Sequence, residues 1–168
     1  KKIVELSSKS YLYNNSLLEP HCDITELYNK NTDVLILSGT INGLFGKLFN
    51  KARVSEINEI YSKIFSYNKD RFYIEIQRHG DLNEKNFEKF NLQKSHELKI
   101  PIIATNEVFY LNKDMYEAHD ALICIGSKTY INEKNRIKYT DQHYFKTDNE
   151  MSELFFDLPA ILIHCMNY

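Results

Sequence analysis

A chain of 168 residues with 43% hydrophobic and 26% charged side chains can bury one sizeable core and carries no disorder signature. With 21 basic against 23 acidic side chains the formal charge is −2, which excludes the broad basic excess by which duplex-binding domains hold nucleic acid. Three cysteines, Cys22, Cys124 and Cys165, lie outside any C-x-x-C pair and read as buried thiols of a reducing, cytoplasmic setting. No run approaches a membrane span, and the opening residues lack the layout of a signal peptide. A start at Lys1 rather than methionine leads us to expect a portion of something larger.

In chain order, Ile3, Val4, Leu6, Tyr11 and Leu12 recur at helical rather than alternating steps, predicting a helix over 1–13. A polar connection over 14–20 follows. Asp23 with Glu26 then resembles a capping arrangement for a short helix through Leu27 and Tyr28. Val34 to Leu37 is a compact apolar run stopped by Ser38-Gly39, the pattern of a buried strand ending in a loop. The segment 40–46 holds two of only five glycines, so unusual dihedrals or a close backbone approach are expected there.

Val54, Ile57, Ile60, Tyr61, Ile64 and Phe65 predict a strongly amphipathic helix. The strand Arg71 to Ile76 places Phe72, Ile74 and Ile76 on one face and Arg71, Tyr73 and Glu75 on the other. Residues 82–98 form a second helix, with Phe87, Phe90 and Leu98 expected to be buried. A short doubly buried strand begins at Ile100 and ends in the polar pair Thr105-Asn106. Strand, helix, strand, helix, strand over 34–105 is the rhythm of an α/β fold with mainly parallel strands. A helix over 114–125 is expected, with Met115, Ala118 and Leu122 on one stripe. The segment 129–144 is irregular, with a modest basic patch at Lys134, Arg136 and Lys138. Thr147-x-x-Glu150 is a capping box before Met151 to Phe156, and Pro159 suits the first turn of a last helix.

Chemistry is expected where parallel strands end, because the loops leaving them converge on one face. Glu107 and Phe109 stand two residues apart just past the central strand and share a face if the chain stays extended. A carboxylate and an imidazole at that spacing would make a pair of metal ligands, but a phenyl ring has no lone pair to give. A residual polar site is formed by Glu75, Arg78, His79 and His119. Of these, His79 reads as a turn histidine hydrogen-bonded to backbone more than as a ligand or proton carrier. Glu75 and Arg78 read as an ion pair steadying a strand end. His119 beside Asp120 would diverge by about 100° on a helix, so the pair reads as structural rather than as an acid–base couple. Arg53 and the 134–138 basic patch read as solvated surface, and His21 has no partner at zinc-motif spacing.

Four long stretches carry a family likeness: R-F-Y-I-E-I-Q-R-H-G, I-P-I-I-A-T-N-E-V-F-Y-L, E-A-H-D-A-L-I-C-I-G and Y-F-K-T-D-N-E-M-S-E-L-F-F-D-L-P-A. In order and spacing they resemble the N-terminal polymerase-and-histidinol-phosphatase (PHP) domain of bacterial DNA polymerase III alpha subunits. The resemblance implies a portion of an irregular (β/α) barrel over 1–168, with its start upstream and the polymerase core downstream. It implies a replicative DNA-directed DNA polymerase (a nucleotidyltransferase) as parent, using Mg at a site outside these residues. The implied partners are the proofreading exonuclease subunit, other replisome subunits and primer–template DNA, with no membrane. Metal-binding members carry a cysteine where this chain has Thr40, and Asp-x-His where it has Glu107-x-Phe109. The family ligand positions are thus altered, and no metal or cofactor and no catalytic residue is expected in this portion. It would act as structural support and docking surface, the alternative being an active metal-dependent phosphoesterase or exonuclease with altered ligands.

Overall fold

The computed structural model describes residues 2–12, 20–29, 34–158 and the backbone of 162–167. Four strands pair in chain order, β1 (Ile36–Leu37), β2 (Phe72–Ile76), β3 (Ile102–Asn106) and β4 (Leu162–Asn167), and every neighbour is parallel. Helices α1 (Lys2–Leu12), α2 (Leu44–Asn50), α3 (Val54–Tyr67), α4 (Glu84–Leu98), α5 (Tyr116–Ser127) and α6 (Asp148–Leu154), with the 3-10 turns Ile24–Leu27 and Lys113–Met115, complete the described elements. The α/β character and the parallel pairing expected from the alternating pattern are both present.

The core forms where the α3 stripe meets β2. Ile57, Tyr61 and Ile64 are buried against Phe72 and Ile74, with Phe45 of α2 tilted onto Tyr61 at 4.5 Å between ring centroids. Each such side chain removed from water contributes roughly 1.5–3 kcal/mol. The one polar tip among them, the Tyr61 hydroxyl, donates to Asn91 Oδ1 at 3.2 Å, satisfying the group that burial would otherwise penalise. A second cluster, Ile76, Ala104, Met151 and Phe155, seats α6 against β2 and β3. The capping box before α6 is formed on both sides: Glu150 N–H donates to Thr147 Oγ1, and Thr147 N–H donates to Glu150 Oε2 at 2.8 Å.

The segment 40–46 contains the start of a helix that periodicity did not reveal, α2. Gly46 meets the expected close approach, since a Cβ there would stand 2.0 Å from the Ile41 carbonyl oxygen. One expectation needs correction. Residues 162–167 form β4 rather than a last helix, and Pro159 lies outside the described residues. A short apolar run reads equally as buried helix or buried strand, and pairing with β3 decides it. The Met115, Ala118 and Leu122 stripe is exposed, Met115 standing in the 3-10 turn before α5; α5 buries Cys124 and turns His119 onto Phe109. At the other end of the chain, α1 forms as expected. Its Ile3, Val4, Tyr11 and Leu12 side chains are exposed, and ion pairs from Lys2 and Lys9 to Glu26 tie it to the short 3-10 helix Ile24–Leu27 capped by Asp23.

Candidate functional site

The C-terminal ends of β1, β2 and β3 open onto a common polar region, as parallel pairing requires. One cleft there, about 570 Å³, is lined by Thr40, Asn42, Glu75, Gln77 and Glu107. The tertiary structure therefore does bring Thr40 and Glu107 to one place. Glu75 is buried and already committed, accepting from the Thr105 hydroxyl and from Gln77 Nε2, while its backbone N–H donates to Ser38 Oγ. Burial, with the Asp81 and Glu75 carboxylates nearby, holds the Glu107 carboxyl above its ordinary value.

The expected Glu75–Arg78 pair does not form. Successive strand residues point to opposite faces, and Arg78 lies past the end of β2, where its guanidinium spans Glu88, Asp157 and the Leu154 carbonyl and stacks over the Phe155 ring. Arg78 thus ties α4 to the end of α6, and the Glu88 and Asp157 carboxylates raise its pKa. The basic patch is likewise reduced, because Arg136 makes a two-pronged pair with Asp120 and is 4% exposed at its side chain. That pairing removes Asp120 from any couple with His119.

His79 lies in the turn after β2 and is buried, and its ring Nε2 meets the Glu107 backbone N–H at 3.3 Å. The β2–α4 turn is held by the Glu84 carboxylate, which accepts from the backbone N–H groups of His79 (2.9 Å) and Gly80 (2.7 Å). Gly80, at φ +81°, and Asn83, at φ +64°, take left-handed conformations open to glycine and tolerated by asparagine. The His79 ring lies 4.1 Å from the His143 ring at an interplanar angle of 9°, and its Nε2 is 3.0 Å from Asn106 Oδ1. Asn106 is oriented by donating to the Tyr144 carbonyl and by accepting from Lys146 Nζ at 3.1 Å. Burial, the neighbouring His143 and Lys146 push His79 down to about 3, so its imidazole is neutral. His143 is also lowered by burial.

Sequence reasoning missed His143, Asp81, Glu84, Asn106 and Lys146. His143 and Lys146 sit in or beside a stretch with no periodicity to mark it, and the Tyr110–Tyr144 bridge with long-range bonds such as Asn106 Nδ2 to the Tyr144 carbonyl returns that stretch to β3's end. Asp81 and Glu84 carried a weak signal in the H-G-D turn after a strand.

Phe109 is 38% exposed and built into an aromatic stack, 4.5 Å from Tyr139, 4.9 Å from His143 and 5.4 Å from His119 between ring centroids. These three ring contacts give the Phe109 side chain an apolar packing role. In the cleft Thr40 supplies a hydroxyl and Glu75 is already bonded, while Phe109 nearby offers no lone pair.

The described residues thus form an α/β sheet with a polar cleft at the ends of its parallel strands. The family model described as "PHP domain" matches residues 1–79, and those residues belong to that family. Over 92% of its length the chain is 33% identical to DNA polymerase III subunit alpha of Caulobacter vibrioides; over 99% it is 34% identical to that of Rickettsia felis, and over 96% it is 33% identical to that of Borreliella burgdorferi. It spans 14% of the length of each of these relatives. No helix among the described residues is long and apolar enough to cross a membrane.

Proposed function

We propose that this chain is PHP-domain structure of a replicative DNA polymerase alpha subunit, contributing its parallel strands to an irregular (β/α) barrel. In this reading the domain supports the polymerase body and offers a docking surface to the proofreading exonuclease subunit and other replisome subunits. Nucleotidyl transfer on primer–template DNA, with its Mg, belongs to other parts of the parent protein, in the cytoplasm. The observation that carries the reading is Phe109, packed against three rings at the position where metal-binding relatives have an imidazole. Without a several-metal centre no water is activated for phosphodiester hydrolysis at neutral pH.

The test is made on the full alpha subunit. Metal analysis is expected to find fewer than three transition-metal ions per chain, nuclease assays no PHP-dependent cleavage, and gel filtration co-elution of the exonuclease subunit. Three bound ions, with cleavage lost in Glu107→Ala, would replace this reading by that of an active phosphoesterase. Separate elution of the exonuclease subunit would remove the docking role.

A further inference from the structure

One ligand atom each from His79, Asp81 and His143 lies within 4.8 Å of the other two, and both imidazoles are buried, at 2% and 1% exposure. None of the three stands at the altered family positions Thr40, Glu107 and Phe109. The three come from two segments, the β2–α4 turn and the loop before α6, that only the folded chain brings together.

The hydrogen bonds around the rings prepare them for a cation. His143 Nδ1 lies 3.2 Å from the Glu107 carbonyl oxygen, which only accepts, so Nδ1 carries the proton and the lone pair is left on Nε2. That Nε2 is buried and has no hydrogen-bond partner among the described residues. A buried ring nitrogen left unpaired costs free energy, and a second observation therefore points to something that binds it. Nε2 of His79 lies between Asn106 Oδ1 at 3.0 Å, an oxygen that also accepts from Lys146, and the Glu107 backbone N–H at 3.3 Å. With its proton directed along the shorter contact to Asn106, the ring keeps its lone pair on Nδ1. Backbone or amide oxygens that take the second ring N–H are the usual outer partners of metal-ligating histidines.

We propose that His79, Asp81 and His143 form a site for a single zinc-class divalent cation, separate from the family's centre and structural in role. Two neutral imidazoles and a carboxylate match the borderline-soft ligand set of such ions, with a fourth position left for water or a neighbouring carboxylate. Tetrahedral ligand atoms stand about 3.3 Å apart at zinc–nitrogen distances, so the present spacing closes by roughly an ångström or more on binding. Asp81, half-buried on a turn beside Gly80 and accepting a 3.3 Å hydrogen bond from Asn42 Nδ2, is the ligand that makes that movement, exchanging this bond for the cation. The burial that lowers both histidines keeps them unprotonated and available at neutral pH. The cation would pin the 129–144 loop to the end of β2, beside the Phe109 stack. This amends the expectation that no metal binds these residues, and it stands apart from the docking role proposed above.

The test uses the full chain stripped with chelator and titrated with Zn2+ by calorimetry and with Co2+ by visible absorption. One ion per chain is expected, with the Co2+ d–d bands of a nitrogen- and oxygen-ligated site and a Zn2+-dependent rise in melting temperature. Asp81→Asn and His143→Gln are expected to weaken Zn2+ at least 100-fold. Asp81→Asn, at a half-buried turn position, keeps the reading testable if the buried His143 variant misfolds. No stoichiometric binding to the wild type, or affinity unchanged in the folded Asp81→Asn variant, overturns the proposal. Loss of the ion in Glu107→Gln while Asp81→Asn retains it overturns it too, by moving the ion to the family cleft.

Discussion

The turn that carries His79 depends on one side chain, and Glu84→Ala measures that dependence. The Glu84 carboxylate accepts from His79 N–H through both oxygens, at 2.9 Å each, and from Gly80 N–H at 2.7 Å. Hydrogen bonds to a charged acceptor contribute about 1.5–3 kcal/mol each, so two donors give roughly 3–6 kcal/mol before opposing effects. Burial outweighs these bonds and holds the Glu84 carboxyl above its ordinary value, which shows that keeping the charge there offsets part of the gain. Gly80 is also exposed, so water can replace the lost acceptor on that N–H. The expected net loss on Glu84→Ala is about 3 kcal/mol. Glu84→Gln, which keeps one acceptor oxygen, is expected to lose about half as much. In urea titrations with m near 2 kcal/mol/M the alanine variant shifts the midpoint by about 1.5 M. Hydrogen exchange at the His79 and Gly80 amides is expected to accelerate before global unfolding. A loss under about 1 kcal/mol, or equal losses in the two variants, would refute the anchoring role.

Two further expectations concern backbone packing and pH. Gly46→Ala should destabilise by about 2 kcal/mol or more in thermal melts, although alanine is the better helix former, because the new Cβ would meet the Ile41 carbonyl at 2.0 Å. Gly126→Ala in α5, where a Cβ meets nothing within 4 Å, should instead gain about 0.5–1 kcal/mol; destabilisation at both sites would disprove the contrast. Burial lowers Lys146 to about 8 against the usual 10.5. Between those values the unfolded chain holds a proton that the folded chain has released, so stability rises with pH across that window. The difference between wild type and Lys146→Met should carry this slope; parallel curves from pH 8 to 10.5 would show that Lys146 does not titrate in that window.

Much of the framework was legible. Phe72, Ile74 and Ile76 alternate and are buried, and Ile57, Tyr61 and Ile64 recur at helical steps and pack on them. The Thr147–Glu150 box announces α6 through bonds three residues long. The site was less legible. Arg78 was matched with Glu75, three positions away, whereas its partners are Glu88 and Asp157, ten and 79 positions away. His143 gave no sign of its role, because the ring it stacks on belongs to His79, 64 residues earlier.

The amino-acid sequence alone determined which segments are helix or strand wherever the cause is local: apolar period, capping hydroxyl, or a glycine where no Cβ fits. It also placed a phenyl ring at position 109, where the resemblance implies a ligand in metal-binding members, a matter of identity rather than geometry. The tertiary structure decided which carboxylate meets which guanidinium, which face of α5 is covered, that residues 162–167 pair with β3, and that two distant imidazoles stack over one turn. The physical reason is that periodicity and caps act within a few residues, whereas ion pairs, ring stacks and ligand clusters exist only when a loop closure brings distant segments within bonding distance.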